Sequence, residues 1–316
     1  MTPGGARGLK QIAVIGEIVV EIMADVPGHG FTGPIALTGP YPSGAPAIFA
    51  AQAARLGQPC AIISAVGDDD FGRLNLARLT TDGVDTSAVA VHPDLPTGTA
   101  FVRYRPDGSR DFVFNIRHAA CAATSLTPAA LAVLERTDHL HVMGSSLFNN
   151  ALLHVTLTAA TQVKTRGGTV SFDPNLRAEL LAAPGMQEAM ARILSLCDVF
   201  LPSGDELTLL TTTTNPIAEL LQRGPSLIVH KQGAAGASLH SGTTTLHQPA
   251  SPVTELDPTG AGDCFAAAFV TFWLRGLPGP DALRLASAAG ALAVTRRGPM
   301  EGAARLDDLM EFARKP

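Results

Sequence analysis

Short runs of β-branched residues alternate with longer Ala-rich and Leu-rich segments along this chain. Strand-like runs fall at 12–23, 60–65, 140–143, 169–172 and 199–201, and segments of helical composition at 46–56, 71–81, 152–165 and 186–195. This rhythm predicts a parallel sheet flanked by helices. One region breaks it. Residues 97–105 and 110–116 are strand-like and are joined by Pro106-Asp107-Gly108-Ser109, a turn sequence, so a hairpin is expected there. With the segment around 25–37 it can form a small sheet outside the main layer. No low-complexity linker or internal repeat interrupts residues 1–316, which are expected to form a single domain.

A second feature is chemical. Residues 255–265 read Glu-Leu-Asp-Pro-Thr-Gly-Ala-Gly-Asp-Cys-Phe, and the apolar stretch 263–274 that follows is a buried helix ended by Gly276 and Pro278. The first amides of a helix lack intrahelical partners and carry the positive end of its dipole. Gly260, Ala261 and Gly262 can therefore bring bare N–H groups against a phosphoryl oxygen. A carboxylate beside such a site is repulsive unless it has a task. For Asp263 the task is to accept the proton of a hydroxyl attacking phosphorus, and the plainer alternative is that it complements the helix dipole.

Composition narrows the class. At 316 residues and 46% hydrophobic content the chain can bury a large core. No apolar run approaches the roughly 20 residues of a membrane helix, and residues 1–10 lack the apolar core of a signal peptide, so the cytoplasm is the expected location and no membrane partner is expected. Cys60, Cys121, Cys197 and Cys264 have no paired spacing, which favours reduced thiols over disulfides or zinc. Net charge is −5 and no Lys/Arg run could track a nucleic-acid backbone, so no nucleic-acid partner is expected. An anionic nucleotide would have to be met by local donors and a divalent cation.

Three other patterns compete for attention. Gly28-His29-Gly30-Phe31-Thr32-Gly33 matches the dinucleotide-binding glycine spacing, but no helix start follows it and Ala53 stands where an acid should hold the ribose. A Walker A sequence is absent. His139 and His141 share one strand face without an evident third ligand, so strand-end side chains are expected rather than zinc.

The string from Asp257 to Asp263, followed by an apolar helix, resembles the signature of the ribokinase and fructokinase family of carbohydrate kinases. Further landmarks stand in the same order: residues 12–21, residues 43–57, Asp173-Pro174-Asn175-Leu176-Arg177, and Lys231-Gln232-Gly233-Ala234-Ala235-Gly236. The resemblance covers nearly the whole chain. It implies an α/β ribokinase-like fold, with a central mostly parallel sheet, helices on both faces and a small β-sheet lid (about 25–37 and 97–116) over the sugar. It also implies ATP and Mg2+, a monovalent cation such as K+, a small-molecule sugar partner and a homodimer formed through the lid.

By the same resemblance Asp263 is the catalytic base and Gly260, Ala261 and Gly262 form the anion hole. Asn175 and Arg177 face the phosphate path, Arg177 as a neutralising charge. Lys231, Gly233 and Gly236 belong to the nucleotide strand and turn, although the glycines also suit an ordinary β-turn. Asp257 and Thr259 are candidates for the monovalent cation or merely shape their loop. Glu206 stands in Ser203-Gly204-Asp205-Glu206 where relatives have Asn-x-x-Glu for magnesium, and Ser-x-x-Glu is equally a capping box.

The sugar pocket would include Glu21, Gly44, Ala45 and Ile48. Glu21 stands where relatives commonly have Asp, and Ile48 where they have Asn, so one hydroxyl contact is lost or supplied from elsewhere. Arg103 and Arg105 share one face of the hairpin, where they could fork to hydroxyls or a carboxylate or be a solvated face. These segments are similar to those of a tagatose-kinase subgroup. The expected activity is ATP-dependent phosphorylation of a primary hydroxyl of a ketohexose. A 2-keto-3-deoxygluconate kinase and a non-catalytic sugar sensor are the alternatives, and a dehydrogenase is the weakest.

Overall fold

The computed structural model describes residues 9–175 and 185–314. Its strands, in chain order, are β1 (Ile12–Ile15), β2 (Val19–Ala24), β3 (Leu37–Ser43), β4 (Cys60–Gly67), β5 (Val89–His92), β6 (Gly98–Tyr104), β7 (Arg110–Asn115), β8 (His139–Met143), β9 (Thr169–Asp173), β10 (Val199–Phe200), β11 (Leu227–Lys231), β12 (Ala237–Ser241) and β13 (Thr244–Gln248). Nine of them build the main sheet in the order β13-β12-β11-β10-β9-β8-β1-β4-β5. The strands from β11 to β5 run parallel, and β12 and β13 add an antiparallel edge.

Each central strand is buried on both faces, and its side chains divide between two cores. Ile12 and Val14 of β1 face one core, with Phe49, Phe265 and Phe269. Ala13 and Ile15 face the other, with Val133, Phe172 and Ile193. Helix α1 (Ala45–Arg55) belongs to the first core, as do α8 (Ala261–Leu274) and α9 (Gly279–Ala293). Helices α3 (Pro128–Glu135), α4 (Asn150–Thr165) and α5 (Met186–Leu196) belong to the second. The cores are lined with residues such as Ala267, Ala268, Ala286 and Ala289, so α8 and α9 can pack closely. Sequence and structure agree on these layers.

A separate sheet has the order β3-β2-β6-β7, with β2 and β6 parallel and the other pairs antiparallel. The apolar run 12–23, expected as one strand, is thereby divided between two sheets. Gly16 makes the last main-sheet contact, its N–H donating to Ile63 O at 3.2 Å, and then turns at φ +152°. Both halves are apolar because both are buried, and the sign of the break was the Gly16-Glu17 pair inside the run. Residues 25–36 are irregular chain tied back by Asp25 N to Ala36 O (3.0 Å) and Gly28 N to Tyr104 O (2.8 Å). The turn expected between β6 and β7 is present, closed by Asp107 accepting from Ser109 N at 2.9 Å.

His139 and His141 lie in the core rather than at the cleft. Ser171 Oγ bridges His139 Nε2 (2.8 Å) and His141 Nδ1 (2.7 Å), Thr169 meets His139 Nδ1, and Phe49 stacks on His141. Burial lowers the pKa of His139 to about 3, so the pair is neutral and structural.

Gly16 marks where the two sheets part, and an added Cβ would run into Ser146 Oγ and the Pro46 ring. Replacement by Ala is expected to cost about 2 kcal/mol or more, from backbone strain plus overpacking. Urea unfolding of Gly16→Ala checks this, and a midpoint equal to wild type would show that the turn relaxes freely.

Candidate active site

The carboxyl ends of the parallel strands are where loops must turn back over the sheet, and an α/β sheet leaves its crevice there. Here a cleft of about 750 Å³ opens between those ends and the small sheet. Its walls are Glu17 beyond β1, Glu21 on β2, Ser43, Gly44, Ala45 and Ile48 at the start of α1, and Arg110, Phe112 and Phe114 on β7. Its floor is Asp173 at the end of β9, Lys231 at the end of β11, and Pro258, Thr259, Gly260, Gly262 and Asp263.

Gly260 begins α8 in the left-handed region, φ 82°, and no side chain caps the helix. A Cβ on Gly260 would strike Pro299 O, so no other residue fits this turn. Gly262 differs. Among the described residues outside its own helix, the atom a Cβ there would meet within 4 Å is Lys231 Nζ at 3.5 Å, and Gly262 lines the cleft. Asp263 follows at once. Burial, reinforced by the Asp173 charge and opposed by Lys231, raises its carboxyl to about 8, with Glu17 pushing up and Arg110 down.

Other carboxyls surround it. Asp173 is buried and ion-paired with Lys231 Nζ. Burial raises its pKa and the Lys231 charge lowers it. Glu17 accepts from Ser145 Oγ (2.8 Å) and Ser146 Oγ (2.5 Å), and burial raises its pKa as well. Glu21, 4% exposed, accepts weakly from Ser43 Oγ at 3.3 Å, while its Oε1 has no partner. Burial and the Asp257 charge raise Glu21 to about 7. A buried, unpartnered carboxyl oxygen facing a cleft is an acceptor waiting for a donor.

The turn end of the β6–β7 hairpin docks on the loop before Gly260. Tyr104 and Arg110 are cross-strand partners. Tyr104 Oη donates to Asp257 Oδ1 at 2.5 Å and lies 3.0 Å from Thr259 Oγ1, and Arg110 Nη1 donates to Thr259 Oγ1 at 3.4 Å. Asp257 also accepts from Thr259 N (3.0 Å) and Gly298 N (2.8 Å), so it shapes this loop. Three accepted bonds leave room on a carboxylate's roughly four lone-pair sites for a monovalent cation.

Arg103 Nη1 donates to Gly30 O at 2.9 Å and Arg105 is ion-paired with Asp111, and neither is part of the cleft lining. Arg103 lies on β6 and Arg105 in the turn after it, so their partners are set by how residues 28–30 and β7 fold beside them, which strand periodicity could not reveal. The basic residues lining the cleft from this region are Arg110, Arg117 and His118. Gly233 and Gly236 are off its wall, in the turn after Lys231; at Gly236 (φ 96°) a Cβ would meet Gln248 O. Glu206 lines the cleft and accepts from Ser203 N at 2.6 Å, one half of a capping box; the Ser203 hydroxyl does not supply the other half, because the short helix begins at Glu206 with Asp205 before it and no side-chain cap. Asn175 lines the cleft in the left-handed region, φ 39°. Arg177 lies outside the described residues. Sequence reasoning missed Glu17, Tyr104, Arg110 and Asp173 as members of the site. Each lies in a strand-like or motif-bearing segment, but only the fold brings those segments together.

Residues 9–305 match the model of the pfkB family carbohydrate kinases. An Escherichia coli chain named as a ribokinase II, solved both apo and with ATP and Mg2+, is 47% identical and superposes with a TM-score of 0.91, covering 96% of this chain and 99% of that one. A Klebsiella pneumoniae fructokinase is 32% identical over 95% of this chain and 98% of its own. A Thermoproteus tenax 2-dehydro-3-deoxygluconokinase is 30% identical over 94% and 92%. The chain belongs to the pfkB family of carbohydrate kinases and is a sugar kinase of the ribokinase and fructokinase type. Among the described residues no helix is long and apolar enough to cross a membrane.

Tyr104→Phe removes one charge-assisted hydrogen bond, worth about 1.5–3 kcal/mol, between hairpin and loop. Sugar kcat/KM is expected to fall about tenfold or more if that energy holds the closed arrangement. Steady-state kinetics check this, and less than a twofold change would mean the contact is idle.

Proposed function

We propose that this kinase transfers the γ-phosphoryl group of ATP to a primary hydroxyl of a ketohexose of tagatose or fructose type. One observation carries the reading: a half-buried carboxyl at Asp263 stands directly beside Gly262, at an uncapped helix start on the floor of a sugar-sized cleft. In this reading Asp263 is the catalytic base. The amides of Gly260, Ala261 and Gly262 stabilise the charge on the transferring group, which suits a reaction that needs positioning more than covalent help.

Glu21, through its unpartnered oxygen, and Ser43 accept from sugar hydroxyls, while Ile48 packs against the sugar without hydrogen bonding. Residues 25–37 and 97–116 act as a lid on a single ribokinase-like domain, excluding water from the sugar. The nucleotide extends from the anion-binding turn toward Gly233 and Gly236. No cluster of three or more His, Cys, Asp or Glu able to hold a metal occurs among the described residues. That suits Mg2+ held mainly by phosphates and water, with Glu206 as the nearest protein candidate, and its charge would offset that of the phosphates. Asp257 and Thr259 are the candidates for K+. The exposed edge strand β7, with Val113 and Phe114 about half-exposed, suits a homodimer through the lid. Four buried, unbridged cysteines suit a reducing cytoplasm.

A second reading has its own support. Arg110, Arg117 and His118 line the cleft, and a cationic wall suits a keto-sugar acid such as 2-keto-3-deoxygluconate. An ADP-release screen over tagatose, fructose, ribose and the keto-sugar acid decides between them. Ketohexoses are expected to lead. A tenfold preference for the acid, lost in Arg117→Ala, would establish the second reading.

Asp263→Asn is expected to lower kcat about 10²–10⁴-fold while leaving sugar binding largely intact. Because the base must be ionised, kcat/KM should rise with pH and level off above about 8, the position to which burial brings the free-enzyme carboxyl. A mutant keeping a third of wild-type turnover would reduce Asp263 to a dipole-complementing acid.

A further inference from the structure

Lys231 lies within a few ångströms of the anion-binding turn although nothing in its own strand requires a charge there. Its strand, β11, ends at the cleft, and its side chain is only 10% exposed. Burying an ammonium is costly unless it is paired, and the partner is Asp173 on β9, itself 2% exposed and two strands away in the sheet. The other Asp173 oxygen, Oδ1, accepts from Asn175 N at 3.3 Å, which fixes the carboxylate. One ammonium proton meets Asp173, and an ammonium has three to give. Nζ lies 3.5 Å from the point where a Gly262 Cβ would stand, and both residues line the cleft.

A pair kept for stability alone has no reason to stand here. Replacing such a pair with apolar residues is commonly neutral or favourable, and the core beneath it is already apolar. Phosphoryl transfer, by contrast, needs cations fixed in advance where charge gathers on the equatorial oxygens. A lysine is a flexible point charge, so it needs an anchor to be fixed.

Resting on the kinase reading above, we propose that Lys231 is a second catalytic residue, donating to the transferring phosphoryl group, and that Asp173 is its positioning residue. The sugar oxygen forms a bond to the γ-phosphorus as the bond from that phosphorus to the β–γ bridging oxygen breaks. The electron pair of the broken bond leaves with ADP, and the hydroxyl proton passes to Asp263. Lys231 keeps its protons and spans Asp173 and the phosphoryl oxygens. The arrangement also sets the base. Asp263 is faced by Asp173 from β9, Lys231 from β11, Glu17 from the segment after β1 and Arg110 from β7, so removing Lys231 or Asp173 moves its ionisation in opposite directions.

The test is kcat and the pH dependence of kcat/KM, with saturating MgATP and the best sugar, for wild type, Lys231→Met, Lys231→Arg, Asp173→Asn and the double variant Lys231→Met/Asp173→Asn. Lys231→Met is expected to lose about 10²–10³-fold in kcat, as loss of one transition-state donor does, with little change in sugar KM. Its acid limb should move to higher pH, because a stabilising positive charge is gone. Lys231→Arg should restore part of kcat and return the limb toward wild type. Asp173→Asn should move the limb to lower pH and lose less activity. The double variant removes both charges, so it folds even if a single variant with one stranded charge does not, and it should remain as slow as Lys231→Met. Recovery of near-wild-type turnover in the double variant would show the pair to be structural and overturn the proposal. So would limbs that move the same way in both single variants. Absence of sugar-dependent ADP release by wild type would instead defeat the kinase reading itself.

Discussion

Desolvation of carboxyl groups around the cleft is the constraint on which this site depends. Glu17 and Glu21, Asp173, and Asp263 face one cleft from three stretches of chain far apart in sequence, and desolvation is the largest influence on each. In water these groups would be ionised well below neutrality and would repel both one another and a nucleotide's phosphates. Held in protein they are partly neutralised by serine hydroxyls, by Lys231 and by loss of ionisation, so an acid and an anion-binding turn can share one floor.

The fold makes that arrangement affordable by separating duties between its two sheets. The main sheet, buried on both faces, fixes the strand ends and the start of α8 to the precision of a packed core. The small sheet is thinner, has exposed residues on β7 and meets the floor through Tyr104 and Arg110. Tyr104 and Arg110 make the contact where the two parts meet, on the loop that leads into Gly260, so the hairpin helps to fix the shape of that turn.

Much of this was legible in the chain. The layers followed from alternating runs, the hairpin from Pro106-Asp107-Gly108-Ser109, and the start of α8 from two glycines and an acid before an apolar helix, because those are local properties of backbone freedom and periodicity. The contact of Glu206 with the Ser203 amide was equally local. The direction of side chains was not: what Arg103 and Arg105 meet depended on how residues 28–30 and β7 fold beside them.

Sequence alone determined the family, the helix that carries Asp263 and the glycines at its start, since each requires only neighbours in the chain. Tertiary structure alone decided that the run 12–23 breaks at Gly16 into two sheets and that His139 and His141 are sealed in the core. It also decided that Asp173 meets Lys231 beside Gly262. Those outcomes turn on parallel strands brought side by side by long crossovers. The energy of a buried charge is set by what lies within a few ångströms of it, and spacing along the chain does not record that distance.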